Sequence, residues 1–118
     1  MGVIINTPPK TGMFPDYGNV TPNVTVQITA TTESTANDVY TASDDCYIGI
    51  NATFRASGYS SNIVLLINDK LIYQFFPQEL NQDLYFSKIW LPLKKGDKIK
   101  AFGSATSMSV YYITAPLR

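Results

Sequence analysis

Nine acidic side chains are the only carboxylates this chain has for acid–base work: Asp16, Glu33, Asp38, Asp44, Asp45, Asp69, Glu79, Asp83 and Asp97. Most fall in stretches that read as turns, where Asp is favoured because its side chain bonds the nearby backbone. A glycosidase pair drawn from them has no spacing to recommend it. Histidine is absent altogether, which removes the commonest general base and the commonest metal ligand. A Ser-His-Asp or Cys-His arrangement is therefore excluded by composition, and only a Ser-Lys variant survives it. No catalytic residue and no cofactor site is expected, and the chain reads as not an enzyme.

Binding chemistry has more to work with. Asn37, Asp38, Asp44 and Asp45 would be hard oxygen ligands for calcium if one end of the fold gathered them, but they lack EF-hand spacing, and solvated turns explain them as well. No metal site is therefore assigned. Sugar recognition wants exposed aromatic rings beside amides or hydroxyls; Tyr59, Ser60 and Asn62 in the loop Ala56–Ser61 and its margin are the candidate surface-ligand residues, with Tyr17 as another platform. Cys46 stands alone, so it forms no intrachain disulfide, and within DDCYIGI it reads as a small buried strand residue. Asn19, Asn23 and Asn51 open Asn-x-Thr sequons, which matter only in a eukaryotic secretory pathway.

The 118 residues suit one domain with a real core. Apolar residues make up 45% and charged ones 15%, against roughly 25% charged in an average globular protein. Thr, Ser and Asn carry the polar balance instead, as on secreted or virion surfaces. Net charge is zero and no basic run exists, so a nucleic-acid partner is not expected. No apolar stretch nears the roughly 20 residues of a membrane-spanning helix, so no membrane insertion is expected. Val3-Ile4-Ile5 is too short for a signal-peptide core, so no signal peptide is expected either.

The elements that would position these residues are strands. Residues 1–23 hold four of the seven prolines and read as an extended arm or linker, or equally as a disordered leader. From residue 24 to the end, a second unit shows strand patterning. Val24–Thr31 alternates strictly, as a half-buried strand should. Strands are also expected at Val39–Ala42, Cys46–Arg55, Ile63–Ile67, Leu71–Phe76, Leu84–Trp90, Ile99–Gly103 and Met108–Ile113. In Leu84–Trp90, Leu84, Phe86 and Trp90 are expected on one face, Tyr85 and Ile89 on the other, with Lys88 interrupting the first. Pro92–Asp97 reads as a turn, with Gly96 at positive φ. No helical period runs for twelve residues. The fold class is all-β: a single β-sandwich of about eight antiparallel strands with an extended N-terminal arm.

The stretch Asn62–Pro77 is anomalous within this pattern. It reads as a hairpin turning at Asn68-Asp69-Lys70, yet neither face is polar. Ile63, Leu65 and Ile67 would face the core, with Val64 and Leu66 opposite. Leu71, Tyr73 and Phe75 share one face of the second arm, with Ile72, Gln74 and Phe76 on the other. The second face needs cover from another sheet, a helix or a subunit. Burying three to five large side chains there contributes roughly 5–10 kcal/mol before association costs, at about 1.5–3 kcal/mol each.

Three pieces in order carry a resemblance: VYTASDDCYIGI at 39–50, IVLLIND at 63–69, and LPLKKGDKIKAF at 91–102, closed by VYYITAPLR. Over roughly residues 39–118 this resembles the small jelly-roll head domains of bacteriophage tail fibres and related virion proteins, similar in topology to C1q and tumour-necrosis-factor heads. The pattern has Asp-Gly where this chain has Asp44-Asp45, so the resemblance implies that Asp45 takes the backbone geometry of a glycine. The resemblance also implies a homotrimer packed about a threefold axis. Tyr73, Phe75, Tyr85, Tyr111 and Tyr112 are the expected subunit-interface residues, since tyrosine buries a ring while its hydroxyl stays hydrated. It also implies a non-enzymatic virion structural or adhesion protein, on the virion surface or extracellular, presenting loops to a host-surface glycan, a protein receptor or a particle neighbour. The alternative is a monomeric extracellular carbohydrate-binding module.

Overall fold

The longest uninterrupted alternation in the sequence becomes the centre of the molecule. In the computed structural model, which describes residues 14–117, strand β3 (Cys46–Arg55) directs Cys46, Ile48, Ile50, Ala52 and Phe54 into the core, all buried. Its partner β9 (Thr106–Pro116) pairs along nearly its whole length. On its other side β3 holds two shorter strands end to end: β7 (Ile89–Leu93) on its first half and β6 (Asp83–Tyr85) on its second. Strand β1 (Val24–Gln27) completes this five-stranded sheet beyond β9.

The second sheet has the order β2 (Asn37–Thr41), β8 (Lys98–Gly103), β4 (Ile63–Ile67), β5 (Lys70–Phe75). All pairings in both sheets are antiparallel. Apart from the pairs β4–β5 and β6–β7, each strand is followed by one in the opposite sheet. Ile63 and Leu65 of β4, Ile99 and Ala101 of β8 and Val39 of β2 meet the inward side chains of β3 and β9 in one apolar core. The expected all-β sandwich is the observed fold, with nine strands rather than about eight.

The extra strand comes from the segment read as one strand, Leu84–Trp90. Leu84 and Phe86 pack inward as expected, but so do Ile89 and Leu91, while Trp90 lies on the outer face beside Gly49. Ser87 and Lys88 form a break that flips the side-chain parity, because a one-residue slip exchanges the two faces of a strand. Strand β7 then runs on through Pro92, which had been read as turn; an edge strand tolerates a residue without an N–H.

In the hairpin, Asn68 and Asp69 both have positive φ (51° and 66°), so the turn has two residues and Lys70 already belongs to β5. A bulge follows: Leu65 pairs with Tyr73, but Leu66 with Leu71. Ile72 is the extra residue and packs towards the core, which places Leu71 on the opposite face from Tyr73 and Phe75. Both faces of β4 are buried, with Val64 and Leu66 flanked in register by Phe102 and Lys100 on one side and Gln74 and Leu71 on the other.

The arm read over residues 1–23 is described only from Phe14. From there it is ordered against the sheet. Asp16 N–H donates to Pro116 O (2.7 Å), and Thr21 N–H donates to Thr114 O (2.9 Å), continuing the line of β1 along the edge of β9. The apolar spots at Val3-Ile4-Ile5 and Met13 lie outside the described residues.

Candidate functional site

Two clusters of polar side chains stand out, and they sit in different settings. The first joins three turns at one end of the sandwich. Gly96 has φ +92°, as its place in the turn requires. Asp97 accepts Lys94 N–H (2.8 Å) and the Asn68 side-chain amide (3.0 Å), while Asn68 Oδ1 accepts Lys98 N–H (3.0 Å). The Asn68 amide and the Lys94 N–H hold the Asp97 carboxyl below its ordinary range. Asp45 keeps a negative φ, against expectation. Its carboxylate instead accepts Lys95 N–H (2.9 Å) across the cluster, and its own N–H donates to Asp44 Oδ1 (2.8 Å). A bonded partner, not a glycine-like backbone, fixes that turn.

A cavity of about 410 Å³ opens here beside Asp45, Cys46, Lys94 and Asp97. Its carboxylates already bond backbone or amide donors, and burial pushes the Cys46 thiol above its usual value, so it is a poor nucleophile. Three of the four calcium candidates are similarly engaged: Asp44 and Asp45 as above, and Asn37, whose Oδ1 accepts both Thr29 N–H and Ala30 N–H. Among the described residues no group of three acidic, histidine or cysteine side chains is placed to hold a metal.

The second cluster lies on the outer face of the five-stranded sheet. Alternation along β3 turns Asn51 and Thr53 outward; Tyr111 of β9 pairs opposite Asn51, and Tyr85 of β6 opposite Thr53. Lys88 reaches in from the break between β6 and β7, and Asn23 closes the side next to β1. These six residues line an open groove of about 340 Å³. The Lys88 ammonium donates to Asn51 Oδ1 at 3.1 Å. Its stem crosses Gly49 beside the Trp90 ring: a Cβ on Gly49 would stand 2.8 Å from Lys88 Cδ and 2.9 Å from Trp90 Cζ2. Tyr17, held in a short turn capped by Asp16, meets the Trp90 ring edge-on (centroids 5.3 Å apart). Burial lowers the Lys88 pKa. No carboxylate lies within ion-pair distance of it among the described residues, whereas Arg55, at the end of β3, pairs with Asp83 at 3.2 Å. The groove thus offers aromatic surface, two amides, hydroxyls and one partly desolvated cation.

The sequence candidates scatter across the molecule. Tyr85 and Tyr111 come together in this groove. Tyr73 lies on the edge strand β5. Tyr112 faces inward against Tyr40 (ring centroids 5.2 Å apart). Phe75 is 3% exposed and its ring lies tilted against Phe86 in the core (centroids 5.1 Å apart), so it offers nothing to a neighbouring subunit. Its parity with Ile63, not its aromatic character, decides that. Tyr59 is 65% exposed at its loop tip and Ser60 beside it is exposed. The main chain of Asn62 anchors the loop: its carbonyl accepts Ser104 N–H and Ala105 N–H, and its N–H donates to Ser104 Oγ. Asn23, Asn51, Thr53 and Lys88 were not singled out as site residues. The signal for them was the lysine interrupting an apolar face.

No protein-family model matches this chain, and no curated protein matches it at a significant level.

Proposed function

We propose that this protein is a non-enzymatic head of the tail-fibre or virion-surface kind, a jelly roll that assembles as a homotrimer and presents its surface to a host or particle neighbour. The observation that carries the reading is the edge strand β5. It pairs only with β4 among the described residues, and it leaves Leu71 (56%), Tyr73 (42%) and, just beyond it, Phe76 (47%) exposed. An open strand edge bearing large apolar side chains is a template for association, which monomeric proteins suppress with charge, proline or a cover. The strand order supports the jelly-roll wrapping, in which the chain passes back and forth between two packed sheets.

Sedimentation equilibrium at micromolar concentration tests the assembly. Three chain masses are expected, falling to one in Tyr73→Lys/Phe76→Lys with the β-sheet circular dichroism retained. A wild-type chain that stays monomeric overturns the trimer. Tail or baseplate genes beside its own are the expected genomic setting for the head.

A further inference from the structure

We propose that the groove between Tyr85 and Tyr111 is a binding site for a sugar ring bearing a carboxylate. The inference is independent of assembly through β5, because the groove lies on the outer face of the other sheet.

Its parts divide the recognition between them. Tyr85 is 76% exposed and stands on the short strand β6, while Tyr111 is half-buried on the long strand β9. Tyrosine rings offer the apolar faces against which the C–H surface of a pyranose packs, with hydroxyls that stay hydrated or bond the ligand. Asn23 and Asn51 supply amides, which both donate and accept and so suit sugar hydroxyls; Thr53 adds one more hydroxyl.

Lys88 sets the ligand's charge. An ammonium has three donors, and one is used on Asn51 Oδ1. Asn51 is neutral, so this bond holds the ammonium in place without cancelling its charge. The cation is partly desolvated, with its stem fixed over Gly49 against Trp90, and no carboxylate of the described residues pairs with it. A partly buried cation gains from an anionic partner a charge–charge attraction, strengthened where water is partly excluded, that a neutral hydroxyl cannot supply. Volume agrees with the assignment: about 340 Å³, open to solvent, is room for a sugar ring.

The test is a chemical-shift titration of the full chain with three probes: methyl glucuronide, methyl glucoside and sodium acetate. Methyl glucuronide is expected to shift the Asn51 and Asn23 side-chain amides and the Tyr85 and Tyr111 amides together, with affinity at least about tenfold above methyl glucoside and above acetate. Lys88→Met keeps the stem over Gly49 and should erase the advantage of glucuronide over glucoside. Tyr85→Ala, at an exposed position, should weaken both sugars. A methyl sialoside in place of the glucuronide tells whether the carboxylate belongs on the ring's far carbon or next to its anomeric oxygen. Equal affinity for glucuronide and glucoside overturns the acidic-sugar assignment. Acetate binding as tightly as glucuronide, or no shift with any probe, overturns the sugar site itself. None of these results depends on whether the chain sediments as a trimer.

Discussion

The turn cluster around Asp97 and the groove around Lys88 are both built from a charged residue bonded to an asparagine, yet they do opposite things. At the turns, Asn68 bonds on both sides, giving its amide to Asp97 and its oxygen to a backbone N–H, and Asp97 in turn accepts a backbone N–H. That closed circuit ties the β4–β5 turn to the β7–β8 turn. In the groove, Asn51 Oδ1 accepts from the Lys88 ammonium and the circuit stops there, open towards solvent and flanked by tyrosines. A polar cluster that bonds the backbone of two turns ties those turns together, each bond contributing about 0.5–1.5 kcal/mol. One whose remaining capacity points outward contributes little to the fold and is available to a ligand. Stability should therefore respond sharply to substitutions in the first cluster and weakly to those in the second.

The largest effect is expected from Asn68→Ala. It removes two side-chain hydrogen bonds, each worth about 0.5–1.5 kcal/mol, and asks alanine to hold a left-handed backbone at roughly 1 kcal/mol. A loss of about 2–3 kcal/mol should appear as a lower urea midpoint with an unchanged slope. Asn68→Gly should recover only the backbone part. If Asn68→Ala cost no more than a surface change, the turns would not be a structural cluster and the contrast would collapse.

Gly49→Ala probes the other side, because the sheet itself supports the groove there. The added methyl meets the flexible Lys88 stem and also the Trp90 ring, which Tyr17 backs. Overpacking of this kind costs typically about 1–3 kcal/mol, and an outer face that can partly yield belongs at the lower end. The Asn51 side-chain amide should shift as the ammonium is displaced, while the Asn68 amide should not.

A smaller effect follows from acid. The folded Asp97 carboxyl titrates below its ordinary 3.8, held down by the Asn68 amide and the Lys94 N–H. A depressed folded pKa gives stability that is present above the unfolded value and lost as pH falls through the folded one. The urea midpoint should thus decline below about pH 4, modestly because the carboxylate is solvent-screened, and Asp97→Asn should flatten that part of the curve.

How much of this was legible follows from the kind of signal each residue carries. The ten-residue alternation of β3 and the Gly96 turn are local, and the sequence marks both correctly. The bulge at Ile72 and the break at Ser87–Lys88 are not, since each appears only as one residue out of phase, and either parity is consistent with apolar neighbours. Phe75 was misplaced because its aromatic character fits an interface as well as a core, and pairing opposite Ile63 settles which. The groove was invisible for a different reason. Asn51, Tyr85, Lys88 and Tyr111 come from β3, β6, the β6–β7 break and β9, and only the pairing of β3 with both neighbours brings them together. Lys88 alone left a trace, as a charge where an apolar residue was due.

Lys88→Met is expected to change stability least, and it bears most directly on the contrast. The methionine keeps an apolar stem over Gly49 and loses one hydrogen bond to Asn51, but it also removes a cation that burial disfavours. These terms oppose each other, so the urea midpoint near neutral pH should move by under about 0.5 kcal/mol, as for most surface changes. The pH dependence carries the sign. Because the folded Lys88 pKa lies below its ordinary 10.5, the unfolded chain binds more protons between the two values, and wild-type stability should rise with pH through that window. Lys88→Met should lack that rise. A large loss of stability in this variant would make the ammonium a structural tie like Asn68, and the groove would then be part of the scaffold rather than a surface kept open for a ligand.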